Sequence, residues 1–141
     1  MTLPKPAPGL VIHYNYLWQR EAEAGRENGR YARPCAIVVV ATKITPDGVA
    51  VMVSPITHSP PTEADSAIEL PAAVKRALGL DDQRSWLMTD EVNAFAWPGY
   101  DLDYNRDGKI AYGVIPGALF ARVKKRLLEQ AKAGRLSRIV R

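Results

Sequence analysis

The sequence predicts a mainly β domain of the α+β class: a small β-barrel or strongly curved sheet, with a short inserted helix and a C-terminal helix packed on it. Three observations predict it. Residues 33–58 read as one β-hairpin, because 35–42 and 49–56 are rich in Val and Ile and Thr45-Pro46-Asp47-Gly48 between them favours a turn. Residues 10–18 alternate with the period of a strand, and apolar residues past Pro116 recur at helical spacing. A parallel α/β sheet fits poorly, since only a turn, with no room for a crossover helix, separates the two Val-rich runs.

Taken in order, the chain opens with Pro4, Pro6 and Pro8 and no apolar core. In the first strand Leu10, Ile12, Tyr14, Tyr16 and Trp18 share one face, and Val11, His13, Asn15 and Leu17 share the other. Residues 19–31 are highly charged and contain Gly25 and Gly29, which predicts a mobile loop that regains order at Arg33-Pro34. After the hairpin, Ser59-Pro60-Pro61-Thr62 breaks the strand and residues 66–70 make another short one. Residues 71–80 predict a short helix, with Pro71 in its first turn and Gly79 as its stop. Residues 85–97 carry Trp86, Leu87, Met88, Val92, Phe95 and Trp97, as a long strand or a bent pair would, and Pro98-Gly99 ends them. The last helix begins near Pro116 and aligns Leu119, Phe120, Val123, Leu127, Leu128 and Ala131 into a core-facing stripe.

A chain of 141 residues is expected to form a single domain over 1–141 that buries about two-thirds of its unfolded surface without a metal or a disulfide. Its one cysteine, Cys35, opens an apolar strand and reads as a buried structural thiol in a reducing compartment. No run approaches a membrane span and the N-terminus has no export pattern, so a soluble, cytoplasmic protein with no membrane partner is expected. Charge is uneven: residues 116–141 hold eight Lys or Arg against Glu129 alone, whereas residues 1–115 hold eleven basic and fourteen acidic groups. A basic helix of this kind can face nucleic acid or an acidic protein, or be simply solvated.

Polar chemistry gathers at the open end of the hairpin. Arg33, beside rigid Pro34, is suited to binding a phosphate through two N–H groups, although a lone arginine there is more commonly a surface ion-pair residue. Thr57 ends the opposite strand with a hydroxyl that can donate to a phosphate oxygen. His58 follows it, and histidine is the side chain able to move protons near neutrality. His13, inside a strand, reads as structural. Asp90 and Glu91 are consecutive in a strand, so at most one reaches a common site. Asp103-Tyr104-Asn105-Arg106-Asp107-Gly108-Lys109-Ile110 matches the first eight positions of a calcium loop. The twelfth position is Val114 where a bidentate Glu is needed, and Asx-rich turns form without metal.

The order of these pieces resembles the PemK/MazF toxins of bacterial toxin–antitoxin systems, a family of small sequence-specific endoribonucleases. The resemblance runs from Pro8-Gly9 through the glycine-containing loop into Arg33-Pro34, then Val53-Ser54-Pro55-Ile56-Thr57, Asp90-Glu91-Val92 and the terminal helix. It implies an SH3-like β-barrel, a homodimer, inhibition by a cognate acidic antitoxin, and cleavage of single-stranded RNA without metal or other cofactor. The ribose 2′-hydroxyl would attack the adjacent phosphate, leaving a cyclic phosphate and a 5′-hydroxyl. Arg33 and Thr57 match the family's catalytic arginine and hydroxyl, and Asp90 matches an acid that some members use as a base. Glu27 stands where relatives carry a polar or acidic residue before the Arg-Pro step, and with Glu91 and Asn93 it is assigned to substrate binding. His58 replaces the usual Ser or Thr, and Met88 stands where some members place a second arginine, so the proton-transfer role is open between His58 and Asp90. Two other functions fit parts of the sequence: a catalytically inactive barrel that binds RNA or an acidic partner, and a calcium-responsive interaction domain.

Overall fold

The computed structural model describes residues 3–141; Met1 and Thr2 of the proline-rich start lie outside the described residues. In chain order the elements are β1 (Leu10–Asn15), α1 (Gln19–Glu23), β2 (Ala32–Thr45), β3 (Gly48–Thr57), a 3₁₀ turn (Ala64–Ser66) and β4 (Ala67–Glu69). They continue with α2 (Ala72–Ala77), β5 (Trp86–Met88), β6 (Glu91–Trp97), β7 (Ala111–Val114), α3 (Gly117–Lys132) and β8 (Ser137–Val140). The strands form one eight-stranded sheet whose main path runs β4-β5-β3-β2-β1-β7, with β6 paired to β3 and β8 to β6. All pairs are antiparallel except β6 with β8. The sheet does not close on itself, so the expected barrel is an open, mainly antiparallel sheet in this fold.

The hairpin forms where its composition places it. Its tip needs Gly48, which sits at φ +117° with the Trp97 carbonyl so close that a Cβ would overlap it. Near the open end the register is regular, with Cys35 opposite Pro55 and Ile37 opposite Val53, and irregularities fall only beyond Ile37. On its other side β3 changes partner. Val49 through Val53 pair with β6, and Ile56-Thr57 pair with β5. The break falls at Ser54-Pro55, where proline has no N–H to give a ladder.

Strand alternation sends neighbouring residues into two cores. Val11, Ala36, Val38, Ile56, Ile68, Leu87 and Val92 meet Leu119, Val123 and Leu127 of α3. Ile12, Tyr14, Tyr16, Trp18, Cys35, Ile37, Phe95 and Trp97 build the other cluster, in which the Tyr14 and Phe95 rings stack at 4.7 Å. Cys35 is fully buried, which pushes its thiol well above the ordinary range and suits a structural role. His13 is structural as well: its Nδ1 lies 2.7 Å from the Tyr112 hydroxyl.

Several boundaries differ from the sequence expectation. The first strand stops at Asn15, and the expected mobile loop begins with α1, whose first turn is held by Glu21 accepting from the Trp18 N–H at 3.1 Å. The rest of that loop is tied back by Asn15, whose amide exchanges hydrogen bonds with the Gly29 N–H and carbonyl at 2.8 and 2.9 Å. Arg33 is the second residue of β2, and residues 85–97 resolve into the bent pair β5 and β6. Strands β7 and β8 were not expected. Each is only four residues long, β7 contains a glycine, and β8 depends on a distant partner in β6.

Chain end and sheet meet at Arg141, whose side chain is 5% exposed. Its guanidinium donates to the Asn15 carbonyl at 2.6 Å, Asn93 Oδ1 at 3.1 Å, Asp101 Oδ1 at 3.1 Å and the Tyr14 hydroxyl at 3.3 Å. Among the described residues no helix is long and apolar enough to cross a membrane.

Candidate active site

The open end of the hairpin is a cleft of about 400 Å³ lined by Arg33, Thr57, His58, Asp90, Trp18 and Arg20, with the Ser59–Thr62 segment and Met88 on its walls. Each polar side chain arrives from a different part of the fold. Arg33 comes from β2, Thr57 and His58 from the end of β3, and Asp90 from the bend between β5 and β6. Extending the register of Cys35 with Pro55 by two residues brings Arg33 opposite Thr57, so strand pairing sets their proximity.

Arg33 is not an ion-pair residue: among the described residues no carboxylate lies within salt-bridge distance of it. Its guanidinium instead lies 5.1 Å from the centre of the Trp18 ring, and Arg20 lies 4.7 Å from the same ring. The Arg33 Nε is buried without a hydrogen-bond partner. Two cations thus lie over one indole, and among the described residues neither has a carboxylate within salt-bridge distance. Thr57 Oγ1 accepts the Ser59 N–H at 3.1 Å, which occupies a lone pair and leaves the hydroxyl proton for a ligand. Asp90 is partly buried with its Oδ1 unpartnered. Burial pushes its carboxyl above the ordinary range, against a smaller opposing effect of its own backbone N–H.

Asp90 and Glu91 diverge, Asp90 standing in the bend and Glu91 opening β6. Glu91 Oε1 accepts from the Tyr16 hydroxyl at 3.0 Å and the Gln19 N–H at 3.1 Å, and burial raises its carboxyl also. Asn93 is fully buried, accepting the Leu17 N–H and donating to the Leu17 carbonyl, both at 2.8 Å. These two residues hold the chain between β1 and α1; neither lines the cleft. Glu27 is exposed on the loop after α1 and likewise stands outside it. Of the seven site residues read from sequence, the fold therefore collects Arg33, Thr57, His58 and Asp90 and separates Glu27, Glu91 and Asn93 from them.

A second cleft of about 240 Å³ adjoins the first across Arg33, Thr57 and His58, and is lined further by Pro34, Leu80, Asp81 and Ser85. Here the fold adds a contact that sequence reading missed: His58 Nε2 lies 2.7 Å from Asp81 Oδ2, and Asp81 Oδ1 accepts from Lys75 Nζ at 2.7 Å. Burial alone would push the Asp81 carboxyl up, but the hydrogen bonds and charges of Lys75 and His58 outweigh it and hold the group below the ordinary range. A signal existed in the helical spacing, which puts Lys75 on the same face as Pro71 and Leu78.

Two of the side chains in the calcium-like loop accept from the loop's own backbone. Asn105 Oδ1 accepts the Asp107 and Lys109 N–H groups at 2.9 and 3.0 Å, and Asp103 Oδ1 accepts that of Tyr104 at 2.7 Å. Among the described residues no group of three or more His, Cys, Asp or Glu side chains could hold a metal ion.

No protein-family model matches the chain, and no curated protein is significantly similar to it.

Proposed function

We propose that the chain is a metal-independent, sequence-specific endoribonuclease of the PemK/MazF kind, the toxin of a toxin–antitoxin pair, cutting single-stranded RNA by 2′-hydroxyl attack. The observation that carries this reading is the convergence of Arg33, Thr57, His58 and Asp90 on one cleft. In-line attack of the 2′-oxygen on phosphorus places extra negative charge on the non-bridging oxygens. Arg33, unpaired and stacked on Trp18, supplies the compensating charge, and the Thr57 hydroxyl donates to one of those oxygens. Two protons must move: one leaves the 2′-hydroxyl, and one reaches the departing 5′-oxygen. His58 and Asp90 are the two groups in the cleft able to exchange them, and the products are a cyclic phosphate and a 5′-hydroxyl.

The SH3-like barrel, the homodimer, the acidic antitoxin and the cytoplasmic site of action belong to the same proposal. The mainly antiparallel sheet with a helix packed on it is compatible with the first of these, although its strand pairings do not close it. Incubation of purified protein with a long single-stranded RNA in EDTA tests the reading. Discrete fragments with 5′-hydroxyl ends, lost in Arg33→Ala and Thr57→Ala, are expected. Binding without cleavage would instead favour a catalytically inactive barrel that docks RNA or an acidic partner protein.

A further inference from the structure

Lys75 is a buried charge, its side chain only 5% exposed. Burying an ammonium group is costly unless its charge and its donors are met. Lys75 Nζ donates to Asp81 Oδ1 at 2.7 Å and to the Gln83 carbonyl, and the Gln83 N–H donates to the same Oδ1 at 3.2 Å. Helix α2 and the turn after it thus fix the Asp81 carboxylate from one side. Its remaining oxygen, Oδ2, meets His58 Nε2 at 2.7 Å. An exposed His–Asp contact on its own contributes little to stability. A carboxylate clamped by a buried cation, and aimed at a ring that borders both clefts, is better explained by what that ring does.

We infer that Asp81, anchored by Lys75, is a positioning residue that orients His58 for proton transfer in the reaction proposed above, on which this inference rests. An ionised carboxylate accepts the Nε2–H whether or not the ring is charged. The proton exchanged with RNA is then carried on Nδ1, and the fixed negative charge stabilises the imidazolium formed when the ring takes a proton from the substrate hydroxyl. Besides Asp81 and the Lys75 behind it, the charged groups around the ring are Arg33 from β2, Arg20 from α1 and Asp90 from the β5–β6 bend.

The test compares wild type, Asp81→Asn, His58→Ala, the His58→Ala/Asp81→Asn double variant and the charge-neutral Lys75→Gln/Asp81→Asn pair. Each is checked for folding by circular dichroism and thermal melting. Removing an acid–base group itself typically lowers a rate by about 10²–10⁴-fold. Loss of its positioner should therefore lower kcat by about 10- to 100-fold, with KM within about 3-fold of wild type and a displaced pH–rate profile. The Lys75→Gln/Asp81→Asn pair, which buries no unpaired charge, should show the same kcat loss. In the His58→Ala background Asp81→Asn should add little, since its effect runs through the ring. No cleavage by wild type would overturn the nuclease reading and this assignment with it. Cleavage by wild type with an unchanged Asp81→Asn profile, or with losses that add in full to those of His58→Ala, would overturn the positioning role alone.

Discussion

Replacing Asp90 with Asn should make the protein more stable and less active. The carboxyl is partly buried with an unpartnered Oδ1, and burial raises it above the ordinary value of 3.8. A raised carboxylate binds its proton more tightly in the folded state than in the unfolded one, so wild-type stability falls as pH rises through and above that ordinary value. Asn has nearly the same shape and does not titrate. Its advantage should be absent below about pH 3.8, where both states carry the proton, and complete once the pH exceeds the folded-state value. Holding an ionised carboxylate partly out of water with an oxygen unpartnered costs more than holding a neutral amide there; with partial solvent access the gain at neutral pH should be about 1 kcal/mol. For a domain of this size that is about 4 °C in melting temperature. RNA cleavage by the same variant should fall by about 100-fold or more if Asp90 exchanges a proton with substrate. Thermal melts from pH 4 to 8, paired with cleavage rates, check both. A variant less stable at neutral pH, or a stability difference that does not shrink toward acid, would refute the reasoning.

Three other perturbations follow from the geometry. Arg141→Ala should cost about 3 kcal/mol or more and lower the melting temperature by about 10 °C, because Asp101 and Asn93 lose a buried charged donor; Arg141→Lys should restore only part of this in urea unfolding. Arg33→Lys should cost no more than about 1 kcal/mol of stability, since among the described residues Arg33 forms no ion pair and only its stacking on Trp18 is weakened, yet lower RNA cleavage by about 10-fold or more through loss of the planar fork. Calcium at millimolar concentration should leave the melting temperature unchanged, because Asn105 and Asp103 already accept backbone N–H groups and Val114 cannot ligate; tight binding in calorimetric titration would contradict this.

What was legible in the sequence was local. The hairpin declares itself through β-branched runs flanking a turn, and antiparallel pairing then obliges Arg33 and Thr57 to meet. Alternation also separates Asp90 from Glu91, and had it been carried two residues further it would have placed Asn93 on the Glu91 side, as the structure does. The separation of Glu91 and Asn93 from the cleft could thus be read from their own spacing. Strand β8, the Arg141 hub and the His58–Asp81 contact were not legible in the same way. Each joins residues whose meeting depends on where α2 and α3 come to rest, and no short-range pattern encodes that.

The cleft and the region around β1 use polar groups in opposite ways. Around β1 and the chain end, Asn93, Glu91 and Arg141 have their buried polar atoms engaged by backbone or by one another, which fixes the entry to α1 and the rear of the sheet. In the cleft, Arg33 Nε and Asp90 Oδ1 are buried and unanswered, and among the described residues no carboxylate lies within salt-bridge distance of Arg33. Unsatisfied groups persist where surrounding structure over-determines their placement. Here that structure is identifiable: Trp18 beneath Arg33, the Ser59 N–H on Thr57, and the Ser137 N–H of β8 donating to the Asp90 carbonyl at 2.9 Å. The hairpin register matters most of all. Its irregularities lie beyond Ile37, toward the tip, leaving the stretch next to the site in strict pairing. A one-residue slip there would turn Thr57 to the opposite face of the sheet and take its hydroxyl away from Arg33. The bulged half of the hairpin can absorb such a change; the half that carries the cleft cannot.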